Sequence, residues 1–263
     1  FALKFETFPE DPMELWSFKM EALQFANTDY ANKEKERIAT FIRKQQKKDG
    51  SWPTFPKNFY LTNHRVVLSL CIFPHFYKEF KKAKTWFLKN KANDNLGWGF
   101  TSDSEKSEAS HTANTILSLL FVGEDPRQKD LQTAKKFLES RQFPDGGWAS
   151  SRLTVHDKPT IYSTGATTLA LMLLSDDFNS KHVLKGIKFL LDNQLDDGSW
   201  PLVKGEKECE LYAGKYAIET LAFYKFLTER LNSPDILMLK GKISPQEINR
   251  MLWFEFKKLA IEN

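Results

Sequence analysis

The chain has 263 residues, of which 41% are hydrophobic, 27% charged and 14% aromatic, with 22 phenylalanines and a net charge of +4. That length allows one large domain or two small ones, and the composition excludes wholesale disorder. No apolar run reaches the roughly 20 residues a membrane span needs, and a small positive charge spread over dispersed lysines gives no nucleic-acid surface.

Phe1-Ala2-Leu3-Lys4-Phe5 is too short to be a secretory signal. Residues 12–25, with Leu15, Trp16, Phe18 and Leu23, carry a helical period. Four pairs of segments follow. The first member of each pair (31–46, 77–91, 128–142 and 180–194) is charged and amphipathic; in the third, Leu131, Ala134, Phe137 and Leu138 share one face. The second member (61–73, 110–122, 163–174 and 211–227) carries far less charge. A helix with one apolar stripe belongs outside, and one apolar nearly all round belongs inside. Residues 245–261 close the series, starting at Ser244-Pro245-Gln246-Glu247, a serine cap followed by proline at the first helical position. The segments 153–159 and 233–242 are expected to be irregular loops. Cys71 falls on an apolar inner segment, and with Cys209 it is too little for a disulfide framework. A reducing, cytoplasmic setting is therefore expected.

The joints within the pairs repeat. Gln46 precedes Asp49-Gly50-Ser51-Trp52, Gln142 precedes Asp145-Gly146-Gly147-Trp148, and Gln194 precedes Asp197-Gly198-Ser199-Trp200. A degenerate copy, Asp94-Asn95-Leu96-Gly97-Trp98, stands between the first and third. Glycine ends the first helix in the left-handed region, the glutamine bonds across the turn, and the tryptophan wedges between hairpins with its N–H satisfied. The expected fold is a single all-α domain over 1–263. It is an (α/α) barrel of about five hairpins, without β-sheet, built from repeats 31–73, 77–122, 128–174 and 180–227. The terminal helices 12–25 and 245–261 would close the ring.

This repeat, Gln-x-x-Asp-Gly-Ser/Gly-Trp at about 50-residue spacing, resembles that of squalene/hopene and other class II terpene cyclases, whose α/α toroid is shared by protein prenyltransferase β-subunits. The resemblance implies a polyprenyl or isoprenoid substrate in a central cavity, and acid-initiated cyclisation of the isomerase or lyase kind. Cyclases carry Asp-x-Asp-Asp-Thr-Ala at the start of an inner helix, where a desolvated acid protonates an alkene or epoxide. The matching segment is Glu108-Ala109-Ser110-His111-Thr112-Ala113, so Glu108 takes the first acid position while Ser110 replaces the usual proton donor. Glu108 then becomes the acid, with His111 on the same helix face orienting it. The zinc pattern of prenyltransferases is not met, because Lys207 stands where an aspartate is needed before Cys209 and no histidine follows. No metal and no cofactor are expected.

The starts of the inner helices face one end of such a barrel. That rim would collect Asn63, His64, Glu108, His111, Asp157, Tyr162, Glu208, Glu210 and Tyr212, with Arg65 and Lys215 as basic groups. Phe73, Leu117, Leu120, Met172, Phe223 and Phe226 would line or fill the barrel below. Two alternatives stand beside the cyclase reading. One is a non-catalytic lipid- or protein-binding toroid. The other is a carbohydrate-active barrel with Tyr162 or Tyr212 as acid/base. The resemblance also implies a site completed by a homodimer or partner subunit, with Leu15, Trp16, Trp253 and Phe254 as exposed apolar contacts. Peripheral contact with a membrane stays open.

Overall fold

The computed structural model describes residues 12–23, 26, 28–54, 60–70, 76–150 and 158–262. The helices in chain order are α1 (Met13–Leu23), α2 (Asp29–Gln45), α3 (Tyr60–Ser69), α4 (Tyr77–Lys89), α5 (Ala109–Phe121), α6 (Lys129–Ser140), α7 (Ile161–Leu174), α8 (Lys181–Asp192), α9 (Leu211–Arg230), the single turn α10 (Pro234–Leu237) and α11 (Pro245–Glu262). Helices α1, α3, α5, α7 and α9 pack side by side in that order as an inner layer, and α2, α4, α6 and α8 cover them from outside.

Burial follows the charge pattern. Helix α7 is buried at every position except Tyr162, whereas α6 buries only Leu131, Ala134, Phe137 and Leu138. Capping sets where the helices start: Thr28, Gln128, Thr160 and Glu210 each accept a backbone N–H from the first turn of α2, α6, α7 and α9.

The tryptophan turns hold each hairpin together. The indole Nε1 of Trp52, Trp98, Trp148 and Trp200 donates to the carbonyl of Ile42, Phe87, Leu138 and Leu190 at 2.7–2.8 Å. In three turns a side chain at the fourth position of the inner helix accepts the tryptophan backbone N–H: Asn63 Oδ1, Thr112 Oγ1 and Thr164 Oγ1. One core runs from Met13 to Trp253.

Three expectations are corrected. A two-stranded antiparallel sheet exists, β1 (Trp148–Ala149) against β2 (Pro159–Thr160), because the long connection after the third turn pairs with that turn before α7 starts. Residues 233–242 hold the turn α10 rather than irregular loop alone. Trp16 and Trp253 are buried, against Phe41 and Phe223 respectively, and do not form exposed contacts. Phe254 is 38% exposed, and Leu15 is half-buried.

The two terminal helices both line one cavity of the ring, through Phe18, Glu21 and Ala22 of α1 and Trp253, Phe256 and Lys257 of α11. Helix α1 takes an inner place beside α3, with its Lys19 paired to Glu34 of α2 at 2.9 Å. Helix α11 crosses the far ends of α5 and α7, where Phe254 meets Phe121 and Asn249 donates to the carbonyls of Met172 and Ser175. It then rises against α9, with Trp253 on Phe223 and Lys257 at Glu219. No helix among the described residues is long and apolar enough to cross a membrane.

Candidate functional site

Because each inner helix starts at a tryptophan turn, the first turns of α3, α5, α7 and α9 gather at one end. Glu108 is the cap residue of α5, extended in backbone and with no capping bond from its side chain. Its Oε2 lies 3.4 Å from His111 Nε2, three residues on. The ring of His111 stacks on that of His64 at 6.3 Å between centroids and takes the edge of Phe100 at 5.6 Å. Burial, and then the neighbouring His111 and Arg65, hold the His64 pKa well below its usual value, so that imidazole is neutral at pH 7.

Below lies a hydrogen-bonded layer. Asn114 Nδ2 donates to Tyr162 Oη at 2.8 Å, and Tyr216 Oη donates to Asn114 Oδ1 at 3.0 Å. The Tyr212 hydroxyl stands 3.4 Å from that of Tyr216, and the Arg65 guanidinium covers the rings of Tyr212 and Phe18. Burial, then the charge of Tyr212, pushes the Tyr162 and Tyr216 phenols well above their ordinary range. Both keep their protons and serve as fixed dipoles rather than bases.

Beneath that layer lies a cavity of about 670 Å³, open to solvent past the exposed Ala22 of α1 and Ile218 of α9, within the roughly 300–1,000 Å³ of small-molecule sites. Its wall carries Leu68, Leu117 and Leu169, and the aromatic rings of Phe18, Tyr216, Trp253 and Phe256. Two ion pairs cross it: Lys215–Glu21 at 2.6 Å and Lys257–Glu219 at 2.5 Å. Burial works against the Glu219 charge, but Lys257 and Lys215 outweigh it and hold the carboxyl below its usual pKa. A second cavity, of about 760 Å³, lies at the opposite end between the α7–α8 connection and the start of α11. The rim residues are absent from its lining.

Of the expected rim, Asn63, His64, Arg65, Glu108, His111, Tyr162 and Tyr212 come together. Others do not. Asp157 and Phe73 lie outside the described residues, as does Cys71. Glu208 is exposed on the connection before α9. Glu210 spends its carboxylate on the Ala213 N–H as the cap of that helix. Of the expected barrel lining, Leu117 faces the cavity, while Leu120, Met172 and Phe223 are closed into the core.

Sequence reasoning missed Asn114, Tyr216, Glu219 and Lys257. A signal for Glu219 exists: at the ninth position of α3, α5, α7 and α9 the chain reads Leu68, Leu117, Leu169 and then Glu219. Among the described residues, no three His, Cys, Asp or Glu side chains are grouped to hold a metal ion.

Residues 4–154 match the prenyltransferase alpha-alpha toroid domain, and residues 109–208 match the squalene-hopene cyclase C-terminal domain. A lanosterol synthase, erg7A, of Aspergillus fumigatus is 31% identical over 126 residues. That match takes in 43% of this chain and 17% of the synthase, so the chain spans a small part of its relative.

Proposed function

Since the chain belongs to the prenyltransferase alpha-alpha toroid domain family, we propose that it binds a polyprenyl or terpenoid hydrocarbon in its central cavity. The observation that carries this reading is the cavity itself: three leucines in register and four aromatic rings, closed above by neutral phenols. Burial of an apolar chain there is favourable by about 25 cal/mol for each Å² removed from water. The rings add quadrupole faces suited to a cationic centre in the ligand. The ion pairs neutralise each other within the wall, so the site favours an uncharged chain over a free anion.

A second reading, class II cyclase chemistry, rests on the contact between Glu108 and His111. The Glu108 carboxylic acid would give its proton to a terminal alkene. The resulting cation would be attacked by the next double bond of the same chain, and a proton lost from the cyclised cation would return to the carboxylate. Glu108 and His111 stand above the Asn114–Tyr162–Tyr216 layer, outside the cavity lining. The polyene end therefore has to cross that layer to reach the acid.

The test is to incubate the purified chain with squalene and with geranylgeraniol, following the melting temperature and extracting products. We expect both ligands to raise the melting temperature. Ala22→Trp, at an exposed position on the cavity wall, should weaken binding about tenfold. Absence of any shift would overturn the binding reading. Cyclised product lost in Glu108→Gln would support the second reading, and product unchanged in that variant would remove Glu108 from the chemistry.

A further inference from the structure

The end of the ring opposite the rim holds the second cavity, of about 760 Å³, which shares no lining residue with the central one. It opens where α7 and α9 finish. Asp176, Asp177 and Phe178 follow the last turn of α7, and Leu231 and Asn232 follow that of α9. The C-terminal ends of two helices therefore meet at it, each with the partial negative charge of its unsatisfied carbonyls. Helix α11 closes a third side with Ile248 and Asn249.

The side chains repeat that sign. Asp176 and Asp177 are both exposed at the mouth. Gln246, 5% exposed, donates from Nε2 to Asp176 Oδ1 and so holds that carboxylate against α11. Asp177 Oδ1 accepts the Asn179 N–H at 2.8 Å. The second oxygen of each carboxylate has no bond among the described residues. Lys240 supplies the lining's cation, exposed on the loop before α11.

The floor carries a buried acceptor without a donor. Asn249 is 3% exposed. Its Nδ2 spends both hydrogens on carbonyls at the end of α7, Met172 O at 2.9 Å and Ser175 O at 3.3 Å. Those bonds fix the amide plane and leave Oδ1 as the polar atom that Asn249 turns to the cavity it lines. Among the described residues nothing donates to that oxygen. The adjoining Ser175 Oγ and Gln246 Oε1 are buried and lack a partner too. An unbonded buried acceptor costs about 1–3 kcal/mol, so this floor draws a donor from solvent or from a ligand. Gln246 and Asn249 lie three residues apart on one face of α11. The carboxylate held by the first therefore stands near the carbonyl of the second.

We propose that this cavity binds an organic ammonium ion on an apolar arm, a small primary amine in its protonated form. The ammonium donates to Asn249 Oδ1 and pairs with Asp176, while the arm lies on Phe178, Leu231, Ile243 and Ile248. A neutral alcohol satisfies Asn249 but gains nothing from the carboxylates and helix ends, and an anion is repelled by all of them. Lys240 opposes the ligand, yet its long exposed stem carries its own charge into solvent. The site is independent of what the central cavity holds.

The test is isothermal titration calorimetry on the full chain at pH 7 and low salt, with three probes that share one arm. They are 2-phenylethylammonium, 2-phenylethanol and 3-phenylpropanoate. We expect saturable binding of the ammonium, binding of the alcohol at least about tenfold weaker, and none of the carboxylate. Asp176→Asn with Asp177→Asn should bring the ammonium down to the level of the alcohol. Both positions are exposed and asparagine keeps the acceptors for Gln246 and Asn179, so the melting temperature should stay unchanged. Asn232→Trp, at an exposed position of the mouth, should abolish binding, and Lys240→Met should tighten it at least about twofold. No saturable binding of the ammonium, equal binding of the three probes, or indifference to the two aspartates would overturn the proposal. Binding lost in Ala22→Trp and kept in Asn232→Trp would place the ammonium at Glu21 and Glu219 of the central cavity and equally overturn it.

Discussion

His64 shows at the scale of one residue how burial becomes a pH response. The unfolded chain takes up a proton at this residue below about pH 6.5, whereas the folded chain, with the imidazole enclosed beside His111 and Arg65, does so only at lower pH. The folded-state pKa is depressed, so stability is fully present above pH 6.5 and is lost as the pH falls. The loss is at most about 1.4 kcal/mol for each pH unit. We expect thermal unfolding midpoints to drop between pH 7.5 and pH 5.5, and His64→Gln to flatten that slope. His182, whose pKa burial also lowers, leaves a smaller remainder. An identical slope in the variant would assign the response elsewhere. The residue scale also separates the rim candidates. Glu108 has no capping duty while Glu210 has one, and no rule of spacing distinguishes the two before the caps are seen.

Glycines mark the logic of the elements. Gly146 has φ +96° and its missing Cβ is the space occupied by Lys185 O, so Gly146→Ala both strains the backbone and parts α8 from the turn. Its cost should exceed about 2 kcal/mol in urea unfolding. Gly214 sits in the first turn of α9 with open space beyond. There Gly214→Ala should stabilise by about 0.5–1 kcal/mol through helix propensity alone. Equal effects of the two substitutions would mean that the turn glycines are not the seats of the outer helices. The hairpin repeat, the inner and outer character of each helix and the tryptophan staples were legible because they follow from periodicity and turn chemistry. The short β1–β2 pair was not, since two residues carry no period.

For the whole molecule, two ion pairs join the terminal helices to α9 at the closing edge of the ring, beside the packing of Trp253 on Phe223. Glu21 of α1 and Lys257 of α11 both reach α9, through Lys215 and Glu219. Lys257→Met leaves the Glu219 carboxylate in the cavity wall with only Lys215 near it. We expect a loss of about 2 kcal/mol, less than the roughly 3–5 kcal/mol of a fully buried pair because Lys257 keeps a quarter of its exposure. Adding Glu219→Leu restores the leucine found at this position in α3, α5 and α7 and should recover most of the loss, as read in a denaturant double-mutant cycle. Additive losses in the double variant would show that the two groups are not coupled.

The local grammar of this chain came from the sequence: four inner and four outer helices, and the four tryptophan turns between them. Those features depend on residues within a turn or a repeat of one another. Tertiary structure decided the rest. It sent α11 across the far end of the ring, buried Trp16 and Trp253, and placed Glu219 opposite Lys257 across 38 residues of chain. Among the described residues, it also left the fourth turn without a helix on it. Each of these depends on which surfaces remain uncovered once the repeats have packed, a property of the assembled ring and not of any segment.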